Sequence, residues 1–135
     1  MKLGASTACF YPLETEKALL KVTELGYKYA EVFMNAPSEL EEPFLKQLNT
    51  IAKNGGTDIV SVHPFSSFME STCIFTDYQR RFDDFISIYD KTCHACACLG
   101  AKYVVIHGAV AHPKIPIPDE RYFCLLYTSP SPRDM

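Results

Sequence analysis

The sequence predicts an α/β fold with the element order βαβαβαβ and a parallel sheet. Three observations predict it. Two short apolar runs, Asp58-Ile59-Val60-Ser61-Val62-His63-Pro64 and Lys102-Tyr103-Val104-Val105-Ile106-His107-Gly108, are rich in β-branched residues, and each closes on a histidine. Runs of this kind read as strands buried on both faces. Between the strands lie stretches with apolar residues at helical spacing, ended by glycine. Alternation of short strands with amphipathic helices implies parallel pairing through right-handed crossovers.

Residues 2–7 form the first strand. Pro12 precedes the first helix, in which Ala18, Leu19, Val22 and Leu25 recur on one face and Gly26 is the stop. Residues 27–34 form the second strand, carrying Tyr29, Ala30, Val32 and Phe33. Ser38 with Glu41 reads as a capping box that starts the second helix. Pro43 falls in its first turn, where a lost N–H costs little. Leu40, Phe44, Leu48 and Ile51 are its expected stripe, and Asn54-Gly55-Gly56 ends it. The third strand stops at His63, because Pro64 holds it extended and cannot pair further. Residues 66–75 read as a long polar-aromatic loop, in which Phe65, Phe68 and Phe75 either cover a substrate or, as is commoner, pack the loop down. Thr76 with Gln79 is a second capping box. It opens a third helix with the stripe Tyr78, Phe82, Phe85, Tyr89, Cys93 and Cys96, stopped by Gly100. The fourth strand ends at His107.

The 135 residues are enough for one ordinary domain, and 47% hydrophobic with 21% charged residues is a soluble globular composition. A net charge of −3 and a pI near 5.8 argue against a nucleic-acid partner. No apolar run approaches the roughly 20 residues that span a membrane, and the start of the chain lacks a signal-peptide core. Six cysteines cluster rather than form a framework, so a reducing cytoplasm is expected. Cys93, His94, Cys96 and Cys98 do not read as a zinc or iron–sulfur set. Cys93 and Cys96 continue the apolar stripe, while His94 and Cys98 project from other helical faces.

The tail is of another kind. The eleven residues from Cys124 to Asp134 match, in frame, the conceptual translation of a transposon-type sequencing adaptor. They are set apart as a fusion scar would be. The division is then 1–123 for the native portion and 124–135 for an artefact tail, with the natural chain expected to continue past Phe123. Four strands and three helices are about half of a (β/α)8 barrel, which takes roughly 250 residues. Such a truncated half exposes the edges of its first and fourth strands and is expected to self-associate through them.

Residues 2 to about 109 resemble the sugar phosphate isomerase/epimerase group of the xylose-isomerase-like barrels. The carrying features are Gly26-Tyr27, Glu31-Val32-Phe33 followed by Asn35, Ser61-Val62-His63, and Val104-Val105-Ile106-His107-Gly108. The resemblance implies the N-terminal half of a (β/α)8 barrel and a divalent metal (Mn, Zn, Mg or Fe) at the C-terminal mouth. It also implies proton transfer on a small sugar or polyol. The superfamily includes apurinic endonucleases, so a metal nuclease is the alternative, and a non-catalytic relative is the second.

Histidines at the same ends of adjacent parallel strands, about 4.8 Å apart, would face one cavity. His63 and His107 are therefore the candidate metal ligands. His63 could equally bind a substrate hydroxyl, and both could be polar rim residues. Glu31 binds substrate if it points into the barrel and is a surface charge otherwise. Asn35 either meets a sugar hydroxyl or caps its loop. His112 reads as a loop residue. The catalytic acid and base are expected on later strands, so the chain alone is expected to be inactive.

Overall fold

A computed structural model describes residues 3–66 and 69–108. Phe68, His112 and the tail from Cys124 lie outside the described residues, as does the 1–123/124–135 boundary. The described chain forms two compact units. Among the described residues, the first comprises 3–65 with 89–105, and the second comprises 66, 69–88 and 106–108.

In the first unit, β1 (Gly4–Ser6), β2 (Tyr29–Phe33), β3 (Asp58–His63) and β4 (Tyr103–Val104) make a parallel sheet in the order β1-β2-β3-β4. Helix α1 (Thr15–Glu24) joins β1 to β2, and α2 (Glu42–Gly55) joins β2 to β3. The expected alternation is therefore present, and the fold is the α/β architecture of a partial (β/α)8 barrel. One sheet face is sealed by Ala30, Val32, Ile59 and Val62, which cluster with Leu19, Val22, Leu45 and Leu48 from α1 and α2. Ala95, Cys96 and Leu99 complete the cluster. The other face carries half-buried residues, so neither β3 nor β4 is buried on both sides.

Several local expectations shift. Leu25 sits past the end of α1 and is 62% exposed, while Thr15 and Thr23 occupy the buried face instead. Ser38 does not cap α2: it lies inside a 3-10 turn over Pro37–Leu40, and Glu41 stays extended before the helix. Pro43, pre-set for a first helical turn, fixes the later start. That start rotates the stripe to Leu45, Leu48 and Ala52, leaving Phe44 and Ile51 half-buried. Gly56 closes the helix at φ +63°, the left-handed cap that glycine adopts without steric cost.

In the second unit the expected loop contains a short helix, α3 (Glu70–Cys73). Helix α4 (Gln79–Cys98) gives its first half to this unit and its second half to the first. The Thr76 hydroxyl accepts from the Tyr78 N–H at 3.2 Å, just before the helix. Along α4 the buried positions are Phe85, Tyr89, Thr92, Ala95 and Cys96, with Leu99 just past its end; Cys93 is exposed. The stripe steps by three from Tyr89 to Thr92 where the apolar pattern suggested four. Among the described residues, no helix is long and apolar enough to cross a membrane.

Candidate functional site

The strongest concentration of chemistry in the first unit lies on the half-buried face of β2 and β3. The register pairs Glu31 with Ser61 and Phe33 with His63. Ala30 pairs with Ile59, so Val60 is an extra residue on β3, a bulge. Strict alternation would put Ile59 on the same side as Ser61 and His63. The bulge lets both Ile59 and Val62 enter the core while Ser61 and His63 turn to the open face. The Val60 carbonyl is not wasted, since it accepts from the Lys102 N–H at 3.0 Å.

On that face the Ser61 hydroxyl donates to Glu31 Oε2 at 3.2 Å. The His63 ring stacks on Phe33 with centroids 4.5 Å apart and planes at 35°. His63 Nδ1 lies 3.2 Å from the Pro64 carbonyl oxygen. A carbonyl only accepts, so this contact is a hydrogen bond in the tautomer that carries its proton on Nδ1. Glu31 therefore points to the open side of the sheet with His63, near the C-terminal ends of the strands. That is the end where barrel enzymes place their chemistry.

His107 belongs to the second unit and stands beyond β4, not on its last residue. The ladder ends when the Val105 N–H reaches the Val62 carbonyl at 3.0 Å. The His107 N–H instead donates to Glu70 Oε2 at 2.6 Å. Glu70 Oε1 faces the ring nitrogen Nδ1 at 3.7 Å. Glu70 is completely buried, while the His107 side chain is 47% exposed. The sequence reading missed Glu70, which it left in a loop. Its signal was weak: a carboxylate next to Met69, in a stretch with no clear period.

Asn35 is engaged locally. Its side-chain amide donates to Thr15 Oγ1 at 2.7 Å, and its backbone N–H donates to Glu39 Oε2 at 2.6 Å. Thr15 in turn donates to the same Glu39 oxygen at 2.9 Å. This network ties the β2 exit to the start of α1, in keeping with the loop-capping alternative. On α4, Cys98 Sγ and His94 Nε2 approach to 3.4 Å on an exposed face, one turn apart. A cleft of about 840 Å3 opens where the strands begin, bordered by Gly4, Tyr29, Asp58 and Tyr103 with Lys53 beside them. It lies at the opposite sheet end from His63, which counts against it as the catalytic mouth.

The donor chemistry fits part of a divalent-metal site. The His63 ring turns Nδ1 toward the Pro64 carbonyl oxygen, whereas the His107 ring stands 3.7 Å from the Glu70 carboxylate, beyond hydrogen-bond reach. Glu31 adds a carboxylate on the His63 face. Among the described residues, no group of three or more His, Cys, Asp or Glu is gathered to hold a metal.

No family model and no curated protein matches the chain. Among solved structures, the chain is similar to a D-psicose 3-epimerase determined in the presence of D-fructose. The TM-score is 0.65 at 12% identity, covering 90% of this chain and 44% of the epimerase. The likeness is one of fold, and the chain spans less than half of the epimerase's length.

Proposed function

We propose that the chain forms one side of the site of a metal-dependent isomerase or epimerase acting on a sugar or sugar phosphate. The observation that carries this reading is the face shared by Glu31, Ser61 and His63 at the C-terminal end of a parallel sheet. The barrel fold and its likeness to a sugar epimerase support it. His63 would serve the first unit's site as a ligand of a divalent cation, with Mn, Zn, Mg or Fe as the candidates, and His107, in the second unit, is a candidate ligand in its own right. When bound, such a cation polarises a sugar carbonyl or hydroxyl. Glu31, oriented by Ser61, would accept a hydrogen bond from a sugar hydroxyl and fix the ring or chain in register. Phe33 would hold the His63 ring in one plane. Asn35, held by Thr15, would line the loop beside β2. The carboxylates that move the proton would come from further strands of the barrel, so the 135-residue chain alone would show no turnover. A reducing compartment suits its thiols, since the five described cysteines are free.

The test is the uninterrupted genomic reading frame, expressed and assayed with Mn2+ for conversion of ketohexoses and their phosphates. Conversion is expected to vanish with chelation. His63→Ala is expected to lower metal affinity or turnover at least about 10-fold with the fold intact. Unchanged turnover and metal content in that variant would remove His63 from the site. Cleavage of apurinic DNA in place of sugar conversion would overturn the reading in favour of a nuclease.

A further inference from the structure

We propose that Cys98 and His94 form a thiol-modification site. There the Cys98 sulfur exchanges with a low-molecular-weight disulfide while the His94 ring takes its proton. The site stands apart from the sugar reading and does not depend on it.

Both residues lie in the first unit, on the second half of α4. Residues four apart on a helix are neighbours on its surface. Here Cys98 Sγ comes within 3.4 Å of His94 Nε2, inside the reach of a hydrogen bond to sulfur. Both residues are exposed, so a small disulfide has access to them. The sulfur is also held in place. Cys98 is the last residue of α4, and its carbonyl accepts from the Asn49 side-chain amide of α2 at 2.8 Å.

Two other cysteines give the comparison within the same chain. Cys9, in the 3-10 turn Thr7–Phe10, and Cys93 are exposed as well. Among the described contacts neither meets an imidazole. Cys93 adjoins His94 in sequence, but consecutive helical residues do not face each other.

A thiol is a poor nucleophile until it sheds its proton. In the tautomer whose proton sits on Nδ1, the Cys98 thiol donates to Nε2, so the base is already in contact. As Sγ attacks one sulfur of the disulfide, its proton passes to Nε2. The new Sγ–S bond forms as the old S–S bond breaks. The departing thiolate takes the proton from the imidazolium and leaves as a thiol. Cys98 is thereby oxidised to a mixed disulfide, and the other half of the reagent is reduced. The passing charge on His94 lies near the carbonyl end of α4, which favours a cation.

The test times mixed-disulfide formation at each cysteine by peptide mass spectrometry. The 135-residue chain is treated with oxidised glutathione at neutral pH. Cys98 is expected to react at least about 10-fold faster than Cys9 and Cys93. His94→Gln should bring Cys98 down to the Cys93 rate and leave Cys9 and Cys93 as they were. Cys96, which is buried, should stay slow in both chains and so report an intact fold. If it does not, His94→Asn is the second variant. A Cys98 rate no greater than those of Cys9 and Cys93 in the unsubstituted chain would overturn the proposal, whatever the variants do. So would a Cys98 rate that survives the loss of the imidazole.

Discussion

Buried single residues decide most where this chain departs from a simple apolar pattern. Thr15 is fully buried, yet its hydroxyl both donates to Glu39 and accepts from Asn35. Replacing it with the near-isosteric Val removes the hydroxyl, while Glu39 Oε2 keeps the Asn35 N–H and the exposed Asn35 amide keeps solvent. The loss is then that of a part-buried hydrogen bond, about 0.5–1.5 kcal/mol. Thr15→Val should lose that much in urea unfolding, and a loss below the measurement error would show that water replaces the hydroxyl. Cys96 makes a second case. Burial pushes its thiol up, with the neighbouring Cys93 adding to the shift. Because the folded-state value exceeds the unfolded one, the associated stability is present below the ordinary thiol range. It is lost as pH rises through that range toward the folded value. In mildly alkaline buffer, alkylation should therefore reach Cys9, Cys93 and Cys98, which are exposed, well before Cys96. Equal labelling rates, read by mass spectrometry, would contradict the burial.

At the scale of elements, the seam between α1 and α2 shows what a pattern cannot report. Gly55 is the last residue of α2, and a side chain there would stand 2.6 Å from the Thr23 Cγ2 of α1. Propensity alone favours alanine over glycine in a helix by about 1 kcal/mol. Overpacking against a neighbouring helix costs about 1–3 kcal/mol and should win. Gly55→Ala should therefore lower the melting temperature, and Thr23→Gly in the same chain, which removes the Cβ standing nearest, should recover part of the loss. A stabilised single variant would mean the helices part freely. Strand identity and order were legible, because short β-branched runs and stopping glycines are local signals. Helix starts and stripes were less so. Ser38 looked like a cap, but Pro37 drew it into a 3-10 turn. Cys93 looked like core because it is apolar, yet helical phase gave the place to Thr92. The bulge at Val60 was not legible, since nothing in Ile59-Val60-Ser61 differs from an even strand. It is nonetheless what aims Ser61 and His63 together. Glu70 was hidden for the complementary reason, that its partner lies far along the chain.

For the whole molecule, the question is how a sheet of this kind meets solvent. Among the described residues it runs from β1 to β4 without closing, so both outer strands offer main-chain groups to another chain. β4 is two residues long, and its Tyr103 is 66% exposed; Leu3, just before β1, is 60% exposed. The face carrying Phe33, Glu31 and His63 is half-buried at best. A net charge of −3 provides little electrostatic repulsion between copies. Edge pairing between two copies would satisfy the ladder and cover these side chains together. Sedimentation velocity on the 135-residue chain should thus show a species whose size grows with protein concentration. Tyr103→Lys, which puts a charge on the β4 edge, should shift that equilibrium toward the monomer, and a lysine in place of Lys53's neighbour Asn54, away from the edge, should not. A monomer at every concentration that melts in one sharp cooperative transition would mean the edges are protected within the chain itself.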